Sequence, residues 1–469
     1  MRNLVLLSLC AATLPMACGA TAPSVTVTPP PASTYVITDV NIVDVERGIV
    51  LPRRIVTIVS DRIDKIDAQP GSGVPESAKA IDGRGLYLIP GLVDAHVHYF
   101  DAPIFGRLTI ANGVLLVRDM GMPNDYILKL RDSLNRGETL GPEMIATGAI
   151  LDGDPPLIPP ISLGIKTPEE GRAAVREQAK AGVNMIKVYS GLDKEVFQAI
   201  AGEAQKQGLK VVGHVPDSIY VEEAAAAGLQ SSEHFFGFDK VTGRLLGEPV
   251  KFQYVGMGSD AGYFQRLSEV NPERLRSTCL RLKASGLTVC PTVVAFKIGT
   301  KMSAIRAGDF AGSEYISGRV RDMWKLLWAQ QNDVPDFIWR RWVSMVKELN
   351  EAGVSLMVGT DLMLPGIVPG YSVHEEMGIW QDAGLPAADV LRSATLVPAR
   401  FMGLDHRLGA IAEGKTASIV LVRGNPLQDI RRVQQIEGVF LRGRYFSRDD
   451  LSRLLHEAKE LAQDPNSPL

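Results

Sequence analysis

Apolar and polar residues alternate near both ends of the chain. The alternation runs through residues 35–45 and 55–66, and it returns at 418–422 and 438–445. A period of two puts every second side chain on one face of a strand, so these segments are predicted to be β-strands. Because the two stretches share this pattern, we expect residues 35–88 and 408–446 to form one small β-sandwich, followed by a C-terminal helical tail at 447–469.

The middle of the chain has a different pattern, in which short apolar runs alternate with helical periodicity. The predicted helices span 168–181, 194–207, 221–227, 274–285 and 387–393. Strands that alternate with helices favour an α/β fold whose parallel sheet is closed by helices. A chain of 469 residues is long enough for a barrel of about 250 residues and a smaller second unit.

The segment 296–352 is longer than one crossover between strands requires. It contains four of the five tryptophans of the chain, at positions 324, 328, 339 and 342. Aromatic residues at helical spacing usually belong to the core. An extension after a late barrel strand, however, leaves the barrel on the face where parallel strands end, so a lid over that face is the alternative.

The N-terminus has the pattern of an export signal. Arg2 precedes an apolar run from Leu4 to Leu14, which is too short to span a bilayer that needs about 20 residues. We predict a signal peptide at 1–20 and a proline-rich linker at 21–34.

Two cleavage sites compete in this signal. The sequence before Cys18 resembles a lipobox, although Pro15 and Met16 depart from its usual residues, and cleavage there would leave a lipidated cysteine as a membrane tether. Ordinary cleavage after Ala20 is the alternative. The protein is therefore expected in the periplasm, in the outer membrane as a lipoprotein, or outside the cell.

Composition and charge limit the possible partners. Hydrophobic residues make up 45% of the chain, which is ample for a large core. The 50 basic and 53 acidic residues are spread without a basic block, so no nucleic-acid partner is expected. Cys279 and Cys290 lie in the body of the chain, and we predict free, structural thiols for both.

The candidate chemistry lies at the ends of predicted strands. His96 and His98 close a buried apolar run, and alternate residues of a strand project the same way with Cα atoms about 6 to 7 Å apart. Other probable strands end in His214, His234 and Asp361. Parallel barrel strands all end on one face, so these side chains are expected to converge on a metal site. Lys187 lies within another apolar run, where a buried ammonium group needs a partner.

The ordered set His96, His98, Lys187, His214, His234 and Asp361 resembles the amidohydrolase superfamily, in the branch whose two metals are bridged by a carbamylated lysine. Three further segments resemble it too: Pro90-Gly91, Val117 to Gly121, and Leu391 to Thr395 with Gly409 to Val420. The resemblance covers about residues 35–446 and is strongest to imidazolonepropionase-like and prolidase-like dipeptidases. It implies a (β/α)8 TIM-type barrel at residues 89–407.

The resemblance also implies a ligand set and a reaction. Two divalent ions, with zinc expected for so many imidazoles, would be held by the four histidines, by a carbamate on Lys187 and by Asp361. Hydroxide held between the ions would attack an amide carbonyl, and Asp361 would carry the proton to the leaving amine. The prediction is an exported metal-dependent amidohydrolase that acts on small peptides or N-acyl amino acids.

Other functions remain open at this point. The same site would also hydrolyse cyclic amides, lactones or other esters. A deaminase with a single metal and a non-catalytic binding protein are less favoured alternatives.

Several residues also have more ordinary explanations. Asp361 alone would fit a helix N-cap or a turn. Arg118, Tyr189 and Tyr220 lie near strand ends and are candidate substrate contacts, with salt bridging or packing as the alternative. His374 is a candidate substrate contact too, and the alternative for it is a capping role near the start of a helix.

Overall fold

The computed structural model describes residues 33–68, 75–248, 266–328, 333 and 336–464. The predicted signal peptide, Cys18 and nearly all of the linker lie outside these residues. Among the described helices, none combines the length and the apolar character that a bilayer crossing requires.

Strands from both ends of the chain form one sheet of eight. Its N-terminal members are β1 (Thr34–Asp44), β2 (Ile49–Val59), β3 (Arg62–Asp67), β4 (Lys79–Asp82) and β5 (Leu86–Pro90). The barrel contains β6 (Leu92–Val97), β7 (Val114–Asp119), β8 (Glu143–Ala146), β11 (Met185–Val188), β12 (Lys210–Gly213), β13 (Leu229–Glu233), β14 (Thr288–Cys290) and β15 (Ser355–Leu356), with β9 (Ile150–Gly153) and β10 (Ser162–Ile165) beside it. The chain returns to the first sheet through β16 (Ile419–Arg423), β17 (Ile436–Leu441) and β18 (Arg444–Ser447).

The order across the eight-stranded sheet is β18-β17-β16-β5-β1-β2-β3, and β4 pairs with β1. Strands β5 and β16 join the two halves as an antiparallel pair that places Ile89 opposite Val420. The alternation seen in the sequence buries one set of side chains in a separate apolar cluster, which includes Ile37, Val56 and Phe440. Burial of this cluster joins the two ends of the chain.

The eight barrel strands are all parallel and fall into two arcs. One arc is β6-β7-β8, and the other contains β11 to β15, with β9 and β10 at its edge. Backbone hydrogen bonds close both seams: Ala95 N donates to Val358 O at 2.9 Å, and Asn184 N donates to Ala146 O at 2.9 Å. The predicted (β/α)8 barrel is confirmed.

Helices lie between and beyond the barrel strands: α1 (Ala102–Ala111), α2 (Asn124–Arg136), α3 (Pro168–Ala181), α4 (Lys194–Lys206), α5 (Val221–Ala227), α6 (Phe238–Leu246), α7 (Pro272–Ala284), α8 (Val293–Ile298), α9 (Met302–Ala307), α10 (Gly318–Trp328), α11 (Asp336–Ala352), α12 (Tyr371–Asp382), α13 (Ala387–Ser393), α14 (Leu396–Phe401) and α15 (Arg448–Gln463). Short 3₁₀ turns occur at Leu267–Glu269, Gly299–Lys301, Ser313–Tyr315 and Ile430–Gln434.

Helix α3 shows how local sequence sets these boundaries. Thr167 and Glu170 form a capping box at its start, Pro168 occupies the first turn, and Gly182 ends it with a left-handed φ of 86°. The capping box satisfies backbone N–H groups that a helix start leaves free, and glycine adopts positive φ without a steric penalty. The five helices predicted from periodicity occur within two residues of their expected bounds.

The extension at 296–352 packs against the barrel. Trp324 is buried and its Nε1 donates to Met363 O at 3.0 Å, just beyond Asp361. Phe296 stacks on Trp342 with ring centroids 4.0 Å apart. For the described tryptophans these contacts agree with the core interpretation. Cys279 and Cys290 are buried free thiols, as predicted.

Candidate metal centre

Three of the predicted ligands surround the carboxylate of Asp361. His96 Nε2 and His98 Nε2 each lie 3.5 Å from Asp361 Oδ1, and His234 Nε2 lies 3.9 Å from Oδ2. The two histidines come from the end of β6, whereas His234 directly follows β13. Parallel topology therefore brings together side chains that are more than 260 residues apart in the sequence.

His214 completes the ring of imidazoles. Its ring centroid lies 5.1 Å from that of His234. Tyr189 stacks on it at 3.8 Å, and Phe236 stacks at 4.1 Å. These two aromatic contacts fix the plane of the His214 ring.

Lys187 is buried in the barrel with its Nζ toward Tyr189, 5.7 Å from the ring centroid. Among the described residues, Nζ has no hydrogen-bond partner. Burial lowers the pKa of Lys187 to about 8, and attraction to Glu233 and Asp361 only partly opposes this. A Cβ at the neighbouring Gly213 would lie 2.9 Å from the lysine Cδ and 2.2 Å from Val188 O, so the close packing around Lys187 requires glycine there.

The four imidazoles share one hydrogen-bonding arrangement. Each uses Nδ1 for a hydrogen bond to the protein: His96 to Glu233 Oε2 at 2.9 Å, His98 to Gly121 O at 2.8 Å, His214 to Ser190 Oγ at 3.0 Å, and His234 to Thr292 Oγ1 at 2.6 Å. Each Nε2 is thereby left available for a ligand. Such bonds from the second nitrogen orient metal-binding histidines.

Burial also favours the neutral form of three of the rings. It lowers the pKa of His234 to about 4 and those of His96 and His214 well below the usual value. At His98 burial acts in the same direction, but the hydrogen bond and charge of Asp361 prevail and raise the pKa. Neutral imidazole is the form that binds a metal.

The backbone turns sharply where three of these strands end. His234, Thr292 and Asp361 have φ values of 57°, 47° and 61°. The left-handed conformation is unfavourable for residues other than glycine and is often found at functional sites. Asp94 supports the last of these turns because its carboxylate accepts from Thr360 N at 3.0 Å and from Thr360 Oγ1 at 2.6 Å.

These side chains fit divalent metal cations. Four imidazoles and a carboxylate are ligands that zinc and related metals prefer. Two of the buried polar atoms, His96 Nε2 and Lys187 Nζ, have no hydrogen-bond partner in the described part of the chain, as expected of groups that await a ligand.

Sequence reasoning missed the residue that orients His96. Glu233 is completely buried and accepts from Arg118 Nη2 at 2.9 and 3.0 Å. Thr292, which orients His234, was also missed. The sequence signal for Glu233 was a run of polar residues, 230–233, within a probable strand.

In the structure, the four candidate substrate contacts each have a different protein partner. Arg118 is completely buried in its ion pair with Glu233, so the salt-bridging alternative applies and the guanidinium has no free face for a substrate. Tyr189 packs on His214. Tyr220 precedes α5, and Arg244 lies over its ring at 4.4 Å.

His374 is bonded away from the four-histidine cluster. Its Nε2–H donates to Asn112 O at 3.0 Å, and Asn112 is the C-cap of α1. His374 lies in the first turn of α12, whose N-cap is Gly370 without a side-chain cap, so it does not cap its own helix as considered and instead bonds to the end of α1.

An apolar pocket borders the segments that follow the ligand residues. Its wall includes Phe100 and Phe105 after the β6 histidines, Leu362 and Met363 after Asp361, and Tyr315 and Trp324 from the long extension. The side chains of this pocket are mainly aromatic and aliphatic. The cavity has room for about one water molecule, so it is a packing gap and not a substrate pocket.

Comparison with known proteins agrees with the family resemblance of the sequence. Residues 87–445 match the model of the amidohydrolase family. Ochratoxinase of Aspergillus niger is 22% identical over 414 residues, covering 75% of this chain and 73% of that protein. The solved structure of bottromycin amidohydrolase superposes with a TM-score of 0.72 at 25% identity, over 92% of this chain and 91% of its own.

A Xaa-Pro dipeptidase with methionine bound in its active site is similar in fold. It superposes with a TM-score of 0.65 at 21% identity, covering 88% of this chain and 100% of that one.

Proposed function

Because this chain belongs to the amidohydrolase family, we propose that it is an exported, metal-dependent hydrolase that cleaves amide bonds of small peptides or N-acyl amino acids. One observation carries the proposal. Four buried imidazoles form a cluster in which each Nδ1 bonds to the protein and three of the Nε2 atoms lie within 3.9 Å of Asp361, beside a buried lysine whose Nζ has no hydrogen-bond partner among the described residues.

Two divalent ions, with zinc favoured, would be held by His96, His98, His214, His234 and Asp361, and by Lys187 as its carbamate. Carbamylation requires the neutral amine, and burial favours that form of Lys187. It would also replace a buried cation, which has no hydrogen-bond partner in the described part of the chain, with an anionic ligand that could hold a metal ion. When bound, the ions supply a Lewis acid and make water nucleophilic at neutral pH.

Asp361 is the residue we assign to proton transfer. Burial opposes ionisation of this carboxyl, but its pKa lies well below the usual range, and the hydrogen bond with His98, whose own pKa is raised, favours the carboxylate that can accept a proton. With 15% of its side chain exposed, Asp361 is more accessible than the three histidines that it contacts. It would take a proton from the attacking water and deliver it to the leaving amine.

The substrate class is inferred from similarity to other proteins. Ochratoxinase, bottromycin amidohydrolase and a Xaa-Pro dipeptidase are the relatives named above, and their names are consistent with amide or peptide substrates. Esters and lactones of similar shape are the second substrate class.

Export is proposed from the N-terminal pattern alone. A mature terminus at a lipidated Cys18 would tether the enzyme to a membrane, whereas cleavage after Ala20 would release it. The intact mass of protein from the membrane fraction distinguishes the two. A free terminus at Thr21 would reject lipidation.

The function is tested by elemental analysis and a hydrolysis screen. The mature protein, reconstituted with excess zinc, is expected to hold close to two ions and to cleave members of a panel of dipeptides, N-acyl amino acids and their matched esters. His234→Ala is expected to lose metal and activity.

His456→Ala is the matched control because this histidine is exposed on α15 and pairs with Glu460 at 3.2 Å, so the variant should retain both metal and activity. At most one bound ion would reject the binuclear site. Two ions without turnover on any substrate would favour a binding protein.

A further inference from the structure

A buried ion pair lies in the barrel interior next to His96. Arg118 on β7 and Glu233 on β13 are both completely buried. Arg118 Nη2 donates to both oxygens of Glu233, at 2.9 and 3.0 Å, and Arg118 Nε donates to Ala95 O at 2.6 Å. Ser231 Oγ also donates to Glu233. The pair thus connects three strands: β6, β7 and β13.

Glu233 has a carboxylate that could bind a metal, but both of its oxygens are engaged in contacts with other side chains. Its carboxylate, His96 and Cys290 offer ligand atoms within 4.8 Å of one another. Both Glu233 oxygens, however, accept from Arg118, and Oε2 also contacts His96 Nδ1. The carboxylate is therefore held on the side of the His96 ring opposite to Nε2.

We propose that Arg118 and Glu233 are positioning residues that set the metal affinity of the His96 side of the site. The proposal rests on the metal-binding function above. Glu233 fixes the His96 ring with Nε2 toward the centre, and Arg118 holds Glu233 in its place. The guanidinium also neutralises a carboxylate that would otherwise be a buried, competing ligand.

Each contact contributes to this positioning in a different way. A carboxylate that accepts from the second nitrogen of a histidine increases the basicity of the nitrogen that binds the metal. Because Arg118 is bonded to the carbonyl of Ala95, the residue next to His96, it fixes Glu233 relative to the backbone of β6 as well as by charge. A change at either residue should therefore alter metal binding through His96.

The test is zinc affinity, measured by competition with a chromophoric chelator, and the absorption spectrum of the cobalt-substituted protein. Glu233→Gln is expected to weaken zinc binding at one site by about 10- to 100-fold, the effect usual for loss of such a partner. It should also change the ligand-field bands of cobalt. Arg118→Met should change both in the same direction because it releases the carboxylate.

Glu143→Gln is the matched control. Glu143 begins β8, at the end of the strand away from the site, and forms an ion pair with Arg407. This variant loses a Glu–Arg pair like the first, but its zinc affinity and cobalt spectrum should match those of the wild type. Equal loss of affinity in Glu143→Gln would show a general structural effect and overturn the proposal.

A measurement on the unaltered protein covers the case in which the variants do not fold. Nitrogen-15 NMR of histidine in the zinc-loaded enzyme should show His96 protonated at Nδ1. A proton on Nε2 would overturn the proposal, as would wild-type zinc affinity in a folded Glu233→Gln. Failure of the wild type to bind any metal would instead reject the proposed function.

Discussion

Replacement of Lys187 by methionine should stabilise the metal-free protein although it disables the loaded enzyme. Methionine fills a similar volume without a charge. In protein without metal or carbon dioxide, Lys187 is a buried amine whose Nζ has no hydrogen-bond partner among the described residues. Methionine therefore removes the penalty of burying this group.

The size of the effect follows from the pKa of Lys187. Burial lowers it from 10.5 to about 8, and one pKa unit is worth about 1.36 kcal/mol, so the ammonium form lowers the free energy of unfolding by about 3 kcal/mol. Below pH 8 the amine is protonated in both states and the full penalty applies. Between pH 8 and 10.5 the unfolded chain binds more protons, so wild-type stability should rise relative to the variant, and the difference should shrink by about 3 kcal/mol across this range.

Denaturant unfolding followed by tryptophan fluorescence measures this difference at pH 7 and pH 10. Lys240→Met is the control because Lys240 is equally buried but paired with Asp217 at 2.8 Å. Its loss leaves a buried carboxylate without its cation and should destabilise by about 3 to 5 kcal/mol. If Lys187→Met destabilised the metal-free protein as well, the reasoning about an uncompensated ammonium would be wrong.

Three further predictions concern the same site. Asp361→Asn should retain most of the metal but lower kcat by at least about 100-fold, because an amide offers an oxygen ligand but cannot carry the proton; metal content and kcat measured together decide it. Thr292→Val removes the partner of His234 Nδ1 and should weaken zinc binding by about 10-fold in chelator competition, with no loss expected if that hydroxyl is incidental. Gly359→Ala would place a Cβ 2.5 Å from Cys290 Sγ, so it should lower the thermal midpoint, and Cys290→Ala should partly restore it; no rescue would contradict the packing explanation.

The convergence of the ligands could be predicted from the sequence because it depends on topology. His96, His214 and His234 each lie at the end of a probable strand, and parallel strands in a barrel end on one face whatever the details of packing. The same holds for the sheet formed by both ends of the chain, whose strands have a clear period of two. Lys187 was recognisable because a charged residue within an apolar run requires an explanation.

The partners of the ligands could not be predicted because they depend on contacts between distant strands. Nothing near Arg118 in the sequence indicates that its partner is Glu233, 115 residues away. The approximate position of Arg118 near a strand end was right, but a position near the end does not show whether the side chain points into the barrel or toward a substrate. Only the packed structure distinguishes the two.

The orientation of each imidazole therefore depends on the residue that bonds to its Nδ1. The partner of His234 illustrates how far this support extends. Thr292 lies in a left-handed turn immediately before α8, and the first two N–H groups of α8, from Val293 and Val294, donate to the buried carboxylate of Glu376 on α12 at 3.0 and 2.6 Å. A helix on the outside of the barrel thus fixes the turn that orients an imidazole at its centre. Substitutions of Glu376 should consequently affect metal binding through Thr292, although Glu376 itself is no ligand in this arrangement.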